Sequence, residues 1–282
     1  MLPLFLTILC STSIALILKH SDTKQGEPIV LLAGNYLTAS LIGLLIMFFK
    51  GTSYSTGTFI FGAILGLLFV ASFFAFARAV SAAGTALATI SSRLSVIIPI
   101  VFSIIFFDEQ PSTLKLFGFL FTGITFVFFY FSLLNKNSSS SEKGKYFLLL
   151  FVLISIGIND FSMKIFKSTR PVTDEPFFVF IIFFFAFIYS SLFIVRKKIS
   201  INKNTFFTGV GLGVPNVFST IFLLGALSHL PAIFVYPAIN IGIILFTAIG
   251  AYAIWREGMN KSGIAALISG VIAILLLSIN SG

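Results

Sequence analysis

The sequence predicts an all-α polytopic membrane protein with ten transmembrane helices, arranged as two inverted repeats of five helices. Hydrophobic residues make up 57% of the chain and charged residues only 10%, with a mean hydropathy of +1.08, which leaves too little polar surface for a soluble fold. The apolar residues are grouped into blocks of about 20, the length that crosses a bilayer. The two halves of the chain also share a motif at matching positions.

Ten apolar runs are long enough to be spans, and short polar links separate them. The runs are continuous and do not alternate with a period of two, which predicts helices and excludes the strands of a transmembrane barrel. They cover residues 2–18, 28–49, 58–78, 83–107, 113–134, 146–166, 176–195, 205–226, 231–254 and 261–280.

A nine-residue motif marks the start of the third and eighth spans. Thr58-Phe59-x-x-Gly62-x-x-Leu65-Gly66 recurs, 147 positions later, as Thr205-Phe206-x-x-Gly209-x-x-Leu212-Gly213. We interpret its glycines as points of close helix packing. The repeat divides the chain into residues 1–134, a polar linker at 135–145 and residues 146–282. Because each half has five spans, the second half enters the membrane from the opposite side, which predicts an inverted repeat.

The net charge of +9 comes from side chains scattered over short loops, so it does not indicate nucleic-acid binding. Most of these side chains lie in the odd-numbered loops. The positive-inside rule therefore places those loops in the cytoplasm and both termini outside. The basic residues of the odd loops are Lys19, Lys24, Arg78, Lys136, Lys143, Lys145, Arg196, Lys197, Lys198, Lys203, Arg256 and Lys261.

The sequence contains no signature of catalysis, nucleotide hydrolysis or metal binding. The G-x-x-x-x-G-K-[ST], H-E-x-x-H and G-x-S-x-G motifs are all missing, so we expect no enzymatic activity, no cofactor and no use of ATP. Cys10 is the only cysteine, and His20 and His229 lie far apart in the chain. A zinc site needs three or four grouped ligands, so no metal site is expected.

Arg93, Asp160 and Lys164 lie within predicted spans, away from the first and last residue of each, and a charge at the bilayer centre costs at least about 2.5–3.5 kcal/mol unless it is paired or wetted. Arg93 lies roughly 15 Å into the fourth span and Asp160 roughly 21 Å into the sixth. These spans run in the same direction, so we expect the two side chains to pair. Lys164 follows Asp160 by one helical turn. We assign all three to a central substrate pocket. The structural alternative is an Asp160–Lys164 bridge, a snorkelling lysine and an arginine tie between helices.

The internal repeat adds a reason to favour the pocket. Glu27-Pro28 and Glu109 recur 148 positions later as Glu175-Pro176 and Glu257, one residue out of step with the motif, and at this offset Arg93 corresponds to Ile241. Residues that the scaffold requires tend to be kept in both copies, so an arginine without a counterpart indicates substrate binding.

Uncharged polar residues and prolines inside the spans extend the predicted site. Each polar residue fits a substrate contact or a hydrogen-bond tie between helices about equally well. Each proline frees a carbonyl and can bend its helix, either as a static kink or as a gate. The polar residues are Asn35, Tyr36, Asn159, Asn216, Tyr236 and Asn240, and the candidate gating residues are Pro99, Pro215 and Pro237.

Glu109 and Glu257 occupy the links between the fourth and fifth spans of the two halves. An acidic side chain is favourable near the positive end of a helix dipole. We therefore expect each glutamate to stabilise the N-terminus of the helix that follows it, close to Pro111-Ser112 in the first half.

Several of these segments resemble the EamA-type units of the drug/metabolite transporter superfamily, over nearly the whole chain. The similarity lies in an acidic link after each fourth span, Phe107-Asp108-Glu109 and Trp255-Arg256-Glu257, followed by glycines of the fifth span, Gly118, Gly263 and Gly270. Glu257 and Gly263 are closer together than in the usual pattern. Ser92-Arg93-Leu94-Ser95-Val96-Ile97-Ile98-Pro99, Gly157-Ile158-Asn159-Asp160 with Lys164, and Val214-Pro215-Asn216 resemble a bacterial branch of this superfamily. The resemblance implies a ten-helix inner-membrane permease with a central pocket and alternating access, acting in export.

The functional prediction is a secondary transporter of a small anionic or zwitterionic metabolite, because Arg93, Lys164 and Asp160 together carry one net positive charge. Desolvation would favour the protonated form of Asp160, whereas an arginine partner would keep it ionised, so the sequence leaves proton coupling open. It also leaves open a monomer or a homodimer. One alternative is the translocation or handling of lipid-linked intermediates, with Arg196, Lys197 and Lys198 at headgroup level. The other is a non-transporting scaffold, which would not explain an arginine near the middle of the fourth span.

Overall fold

The computed structural model of the 282-residue chain describes residues 1–21, 27–83, 85–134, 144–256 and 260–279. These residues form α-helices and one 3₁₀ turn and contain no β-strand, which confirms the predicted all-α class. The α-helices are α1 (Leu2–Ser21), α2 (Pro28–Lys50), α3 (Thr56–Ala83), α4 (Thr85–Leu94), α5 (Ile97–Phe107), α6 (Thr113–Leu134), α7 (Lys145–Thr169), α8 (Glu175–Lys197), α9 (Lys203–Leu227), α10 (Ala232–Trp255) and α11 (Lys261–Ser278), and the 3₁₀ turn is Val172–Asp174.

The helices of the described chain have the length and composition of a multi-pass membrane protein. Nine helical segments are long and apolar enough to cross a bilayer, and the apolar part of α1, Leu2–Leu18, is shorter. Their positions agree with the predicted spans. Many of their large apolar side chains are exposed, such as Phe48 (80%) and Phe147 (71%), as expected for surfaces that face lipid.

The fourth span is interrupted, because α4 ends at Leu94 and α5 begins at Ile97. Pro99 has no N–H to donate to the Ser95 carbonyl, and its ring disfavours the regular turn around that carbonyl. Ile98 N donates to the Ser95 carbonyl instead, at 3.0 Å, and Val96 N donates to the Arg93 carbonyl at 3.4 Å. Both bonds join residues three apart, so the helix changes locally to 3₁₀-type bonding.

The chain divides into two compact units. The first comprises Met1–Phe74 and Ile165–Gly225, and the second comprises Ala75–Lys164 and Ala226–Gly282. Each unit therefore combines segments from both predicted repeats, so the division into residues 1–134 and 146–282 describes the sequence and not the compact units. The repeat arrangement itself stays a prediction. Most of the predicted linker, residues 135–143, lies outside the described residues.

In the first unit, α2 packs along α8, and the repeated motif supplies glycines at two further helix contacts. A Cβ on Gly66 of α3 would lie 2.7 Å from the Ile182 carbonyl of α8. A Cβ on Gly213 of α9 would lie 2.5 Å from the Asn35 carbonyl of α2. Both contacts require the absence of a side chain, which confirms that the motif glycines are packing points.

The start of α3 is fixed by a buried carboxylate of the first unit. Asp174, which is 2% exposed, accepts hydrogen bonds from Ser55 Oγ at 2.9 Å and from Thr58 Oγ1 at 2.6 Å. Ser55 Oγ in turn accepts from Thr58 N at 3.1 Å, so it caps the helix. The opening Thr of the first motif copy therefore ties α3 to the 3₁₀ turn.

In the second unit, α6 packs along α11, and α10 packs against both α11 and α5. Thr125 Oγ1 of α6 donates to Ser269 Oγ of α11 at 3.1 Å. Ser132 Oγ donates to Asn260 Oδ1 at 2.8 Å, and the same oxygen caps α11 by accepting from Gly263 N at 2.8 Å. These polar contacts fix the register of the two helices at both the middle and one end.

Candidate functional site

Arg93 lies in the last turn of α4, directly before the interruption of the fourth span. This position places its positive charge at the C-terminal, negative end of a helix dipole. Its Nη1 donates to Oδ1 of Asn240 on α10 at 3.2 Å. Asn240 is buried, and its Nδ2 donates to the Tyr236 carbonyl at 3.1 Å, which fixes the amide with its oxygen toward the arginine.

Asp160 lies on α7 and interacts electrostatically with Arg93. The hydroxyl of Tyr236 donates to the backbone carbonyl of Asp160, so α10 and α7 are joined beside the charged groups. The predicted Arg93–Asp160 association is therefore electrostatic, whereas the hydrogen-bond partner of the arginine is Asn240. We call Arg93, Asp160, Tyr236 and Asn240 the Arg93 cluster.

Gly157 allows α7 to approach the interruption between α4 and α5. A Cβ at this position would lie 2.6 Å from Ile98 Cδ1 and 2.8 Å from the Ser95 carbonyl oxygen. Asp160 follows Gly157 by nearly one helical turn and therefore lies on the same side of α7. The close approach at Gly157 brings the Asp160 turn to the level of Arg93.

Lys164 pairs with Glu109 and not with Asp160. Its Nζ lies 2.6 Å from Glu109 Oε1, with side-chain exposures of 13% and 10%, and 5.2 Å from the centre of the Phe107 ring. The alternative Asp160–Lys164 bridge therefore does not describe the pairing in the structure. The aromatic face adds a cation–π contact, so Lys164 is stabilised where α5 ends.

Glu109 stabilises a different helix from the expected one. Its Oε1 accepts from Ala232 N and its Oε2 accepts from Ile233 N, both at 2.9 Å, at the start of α10. Pro231 is the N-cap residue of α10 and has no side chain that could accept these bonds. The expectation that Glu109 serves α6, the next helix, is wrong, because a helix distant in the sequence presents unsatisfied N–H groups to it. Glu257 lies outside the described residues.

Three of the remaining predicted polar residues, Asn35, Tyr36 and Asn216, belong to the first unit. Asn216 Nδ2 of α9 donates to Asn35 Oδ1 of α2 at 3.1 Å, and Ser11 and Ser219 share a hydrogen bond of 2.7 Å between α1 and α9. Tyr36 is buried, with its ring centre 6.2 Å from that of Phe183. Within this unit, Asn35 and Asn216 form a hydrogen-bond tie between helices. Asn159, on α7 of the second unit, is buried beside Asp160.

The three candidate gating prolines have different surroundings. Pro99 lies at the start of α5, directly after the interruption. Pro215 and Pro237 lie inside α9 and α10, which continue through them. Among the described residues, no group of three His, Cys, Asp or Glu side chains is arranged to hold a metal ion.

Comparison with known proteins gives the fold but no activity. No protein-family model matches the chain. A protein of Haemophilus influenzae, described as an uncharacterized protein, is 28% identical over 287 residues, which cover 97% of this chain and 96% of the relative. A solved crystal structure of a protein is 15% identical, covers 98% of this chain and 95% of its own, and superposes with a TM-score of 0.80. At this identity the similarity establishes the fold alone.

Two residues of the second unit were not assigned to the site from the sequence. Gly157 precedes Asp160 by three residues, and a glycine at this spacing from a carboxylate inside a predicted span is a signal of close helix approach. Glu109 offered no such signal, because its partners at Lys164, Ala232 and Ile233 are far away in the sequence.

Proposed function

We propose that the chain is a secondary transporter, which exports a small metabolite without ATP by alternating access. The observation that carries this proposal is the placement of Arg93 in the Arg93 cluster, inside a predicted span and next to a helix interruption. Interrupted spans with polar or charged groups at the break are typical of transporter binding sites. A charged residue at this depth is costly, which favours a functional reason for keeping it.

The chemistry of the cluster favours a zwitterionic substrate. Lys164 is neutralised by Glu109, so the net positive charge deduced from the sequence no longer applies to the cluster. Arg93 remains to bind a carboxylate, assisted by the N-terminal end of α5, whose dipole favours negative charge. Asp160 remains to bind an amino group, and Tyr236 and Asn240 supply neutral hydrogen-bonding groups. We therefore propose a small substrate that carries both a carboxylate and an amine.

We further propose that the chain is an EamA-like permease of the drug/metabolite transporter superfamily, built from two inverted repeats. The helix packing within each unit supports this proposal. Helices α2 and α8 correspond to each other in the two repeats, as do α6 and α11, and each pair is in contact. Likewise α3 packs on α8 as α9 packs on α2. A two-fold relation between the repeats produces such reciprocal contacts, in which each repeat places its third helix on the second helix of the other repeat.

The inverted repeat can be tested by labelling single cysteines in a Cys10→Ser background. Gln110 and Arg256 are exposed and follow the corresponding spans α5 and α10. We expect an impermeant thiol reagent to label Gln110→Cys from outside intact cells and Arg256→Cys only after permeabilisation, with both termini outside and the chain in the bacterial inner membrane. Labelling of both positions from the same side would exclude the inverted repeat.

The transport proposal is tested with purified protein in liposomes loaded with a radiolabelled amino acid mixture or with a dicarboxylate mixture. We expect efflux of amino acids that Arg93→Ala lowers by roughly tenfold or more, since a charge-assisted hydrogen bond contributes about 1.5–3 kcal/mol. Asp160→Asn should reduce efflux of amino acids more than that of dicarboxylates. Arg196→Ala, at the exposed end of α8, is the matched control and should keep full activity.

The same liposomes can examine lipid translocation, the alternative function, with fluorescent phospholipids. The exposure of Arg196, Lys197 and Lys198 at the end of α8 keeps that alternative open. Phospholipid translocation that depends on these three residues and not on Arg93 would overturn the metabolite proposal. Unchanged amino acid efflux in Arg93→Ala would remove the Arg93 cluster from the mechanism.

A further inference from the structure

The first unit contains a cavity of about 240 Å³ between the C-terminal end of α2, the start of α8 and the C-terminal part of α9. It is separate from the Arg93 cluster, which belongs to the second unit. The inner wall is entirely apolar, so a ligand must present hydrocarbon to it. The residues of this wall are Gly43, Ile46, Val179, Ile221 and Leu224.

Polar residues surround only the mouth of the cavity, where α2 ends at Lys50. Thr173 and Glu175 lie at the opposite side of the mouth, at the 3₁₀ turn and the first residue of α8. This distribution, with hydrocarbon inside and polar groups at the entrance, matches an amphiphile that enters with its tail first.

The mouth is held in place by hydrogen bonds within the first unit. Ser53 N donates to the Thr173 carbonyl at 3.3 Å, and Ser53 Oγ donates to Thr173 Oγ1 at 3.0 Å. Inside the cavity, Gly43 lies directly against α8, where an added Cβ would be 3.1 Å from Phe180 Cα. These bonds fix the chain after α2 against the turn before α8, so little ordering of the mouth is needed on binding.

The charges at the mouth favour an anion. The carboxylate of Glu175 is paired with Lys167, and the carboxylate of Asp174 is buried and accepts bonds from Ser55 and Thr58. Lys50, which is exposed, lines the cavity and is the group at the mouth that can meet an anionic headgroup. This region has one net positive charge, because it contains three cations and two carboxylates. They are Lys50, Lys167, Arg170, Asp174 and Glu175.

The position along the span indicates where the ligand comes from. Phe48 and Phe49, directly before Lys50, are 80% and 81% exposed, as expected for side chains that face lipid, and a lysine at the end of a span reaches the headgroup level of a bilayer. We propose that this cavity binds one acyl chain of an anionic phospholipid, whose phosphate contacts Lys50. The proposal concerns a separate site and does not depend on the transported substrate.

Native mass spectrometry of the purified full-length protein tests the proposal, with phosphatidylglycerol and phosphatidylcholine of identical acyl chains as probes. We expect the wild type to retain phosphatidylglycerol in preference to phosphatidylcholine. Lys50→Gln should lower the affinity for phosphatidylglycerol about fivefold, the effect of one basic residue at an anionic headgroup, and Lys50→Arg should restore it. Lys203→Gln, exposed at the start of α9 and outside the cavity, should leave this affinity unchanged.

A second variant tests the acyl chain. Ile221→Phe places a larger side chain on the inner wall and fills part of the cavity. It should reduce the binding of both lipids while leaving the melting temperature and amino acid efflux unchanged. Equal retention of the two lipids by the wild type, or an equal loss in Lys50→Gln and Lys203→Gln, would overturn the proposal, because either result describes general attraction between the lipid and a basic protein. Unaltered lipid binding by Ile221→Phe would place the lipid elsewhere.

Discussion

The interrupted span α4–α5 and the continuous helix α10 occupy corresponding positions in the two halves of the sequence, yet they differ at the position of Arg93. In α4–α5, Arg93 ends a short helix, and a two-residue turn follows. In α10, the corresponding residue is Ile241, which is fully buried and fits against α11, where a Cβ on Gly270 would lie 2.7 Å from its Cγ2.

At this position α10 therefore packs an aliphatic side chain against a neighbouring helix, whereas α4–α5 presents a charged side chain that hydrogen-bonds to Asn240. Both copies contain a proline, but only Pro99 adjoins an interruption, whereas α10 continues through Pro237. Ser95 contributes to the interruption, since its Oγ donates to the Ser92 carbonyl at 2.6 Å and competes with helical bonding. A proline alone is therefore a poor indicator of a break in this chain.

The largest loss of stability is expected when an arginine is placed in α10 at position 241, which corresponds to Arg93. Ile241→Arg would bury a charge in the Gly270 contact and should lower the free energy of unfolding by at least about 3 kcal/mol. Ile241→Val, the matched control, should cost about 1 kcal/mol. Unfolding by SDS titration measures both, and equal midpoints for the two variants would show that the two copies are interchangeable here.

The next effect concerns the carboxylate that joins the two spans. Glu109 follows α5, caps α10 and pairs with Lys164, so Glu109→Ala should lower the free energy of unfolding by about 2–3 kcal/mol. Glu109→Gln keeps an acceptor for one N–H group and should cost less. A double-mutant cycle with Lys164→Met isolates the ion pair, and strictly additive losses would indicate that the pair contributes no stability.

A smaller effect is expected where α7 meets the interruption. Gly157→Ala places a methyl group against Ile98 and the Ser95 carbonyl, and should lower the free energy of unfolding by about 1–2 kcal/mol. It should also displace Asp160 from Arg93 and reduce amino acid efflux. Gly123→Ala on α6 is the matched control, because a Cβ there meets no atom within 4 Å. Identical melting temperatures for the two variants would contradict the close approach of α7.

The smallest change in stability, below about 1 kcal/mol, is expected for Pro99→Ala, which restores an N–H group at the interruption. Its effect on transport should be larger than that of Pro237→Ala, because a continuous α4–α5 would remove the change in backbone hydrogen bonding beside Arg93. Efflux from liposomes, normalised to the folded protein, compares the two variants. An equal or greater loss in Pro237→Ala would assign the moving element to α10.

Much of the fold could be predicted from the sequence, because a bilayer requires long apolar helices and excludes other backbone conformations. The predicted positions of the spans agree with the helices, and the glycines of the repeated motif pack as expected. The interruption after Leu94 was not predicted, since hydropathy averages over a window and does not respond to the loss of one hydrogen bond. The choice between Pro99 and Pro237 depends on neighbouring hydrogen bonds that hydropathy does not report.

The sequence by itself determined that this chain has the long apolar helices of a multi-pass membrane protein and charged residues within its apolar runs, because composition and spacing are properties of the chain. Only the tertiary structure decided which charges meet. Lys164 could bridge to Asp160 on its own helix, but it pairs with Glu109, and that carboxylate serves the start of α10, 123 residues later. The reason is physical: the energy of a buried charge depends on the groups within a few ångströms, and packing, not sequence distance, brings those groups together.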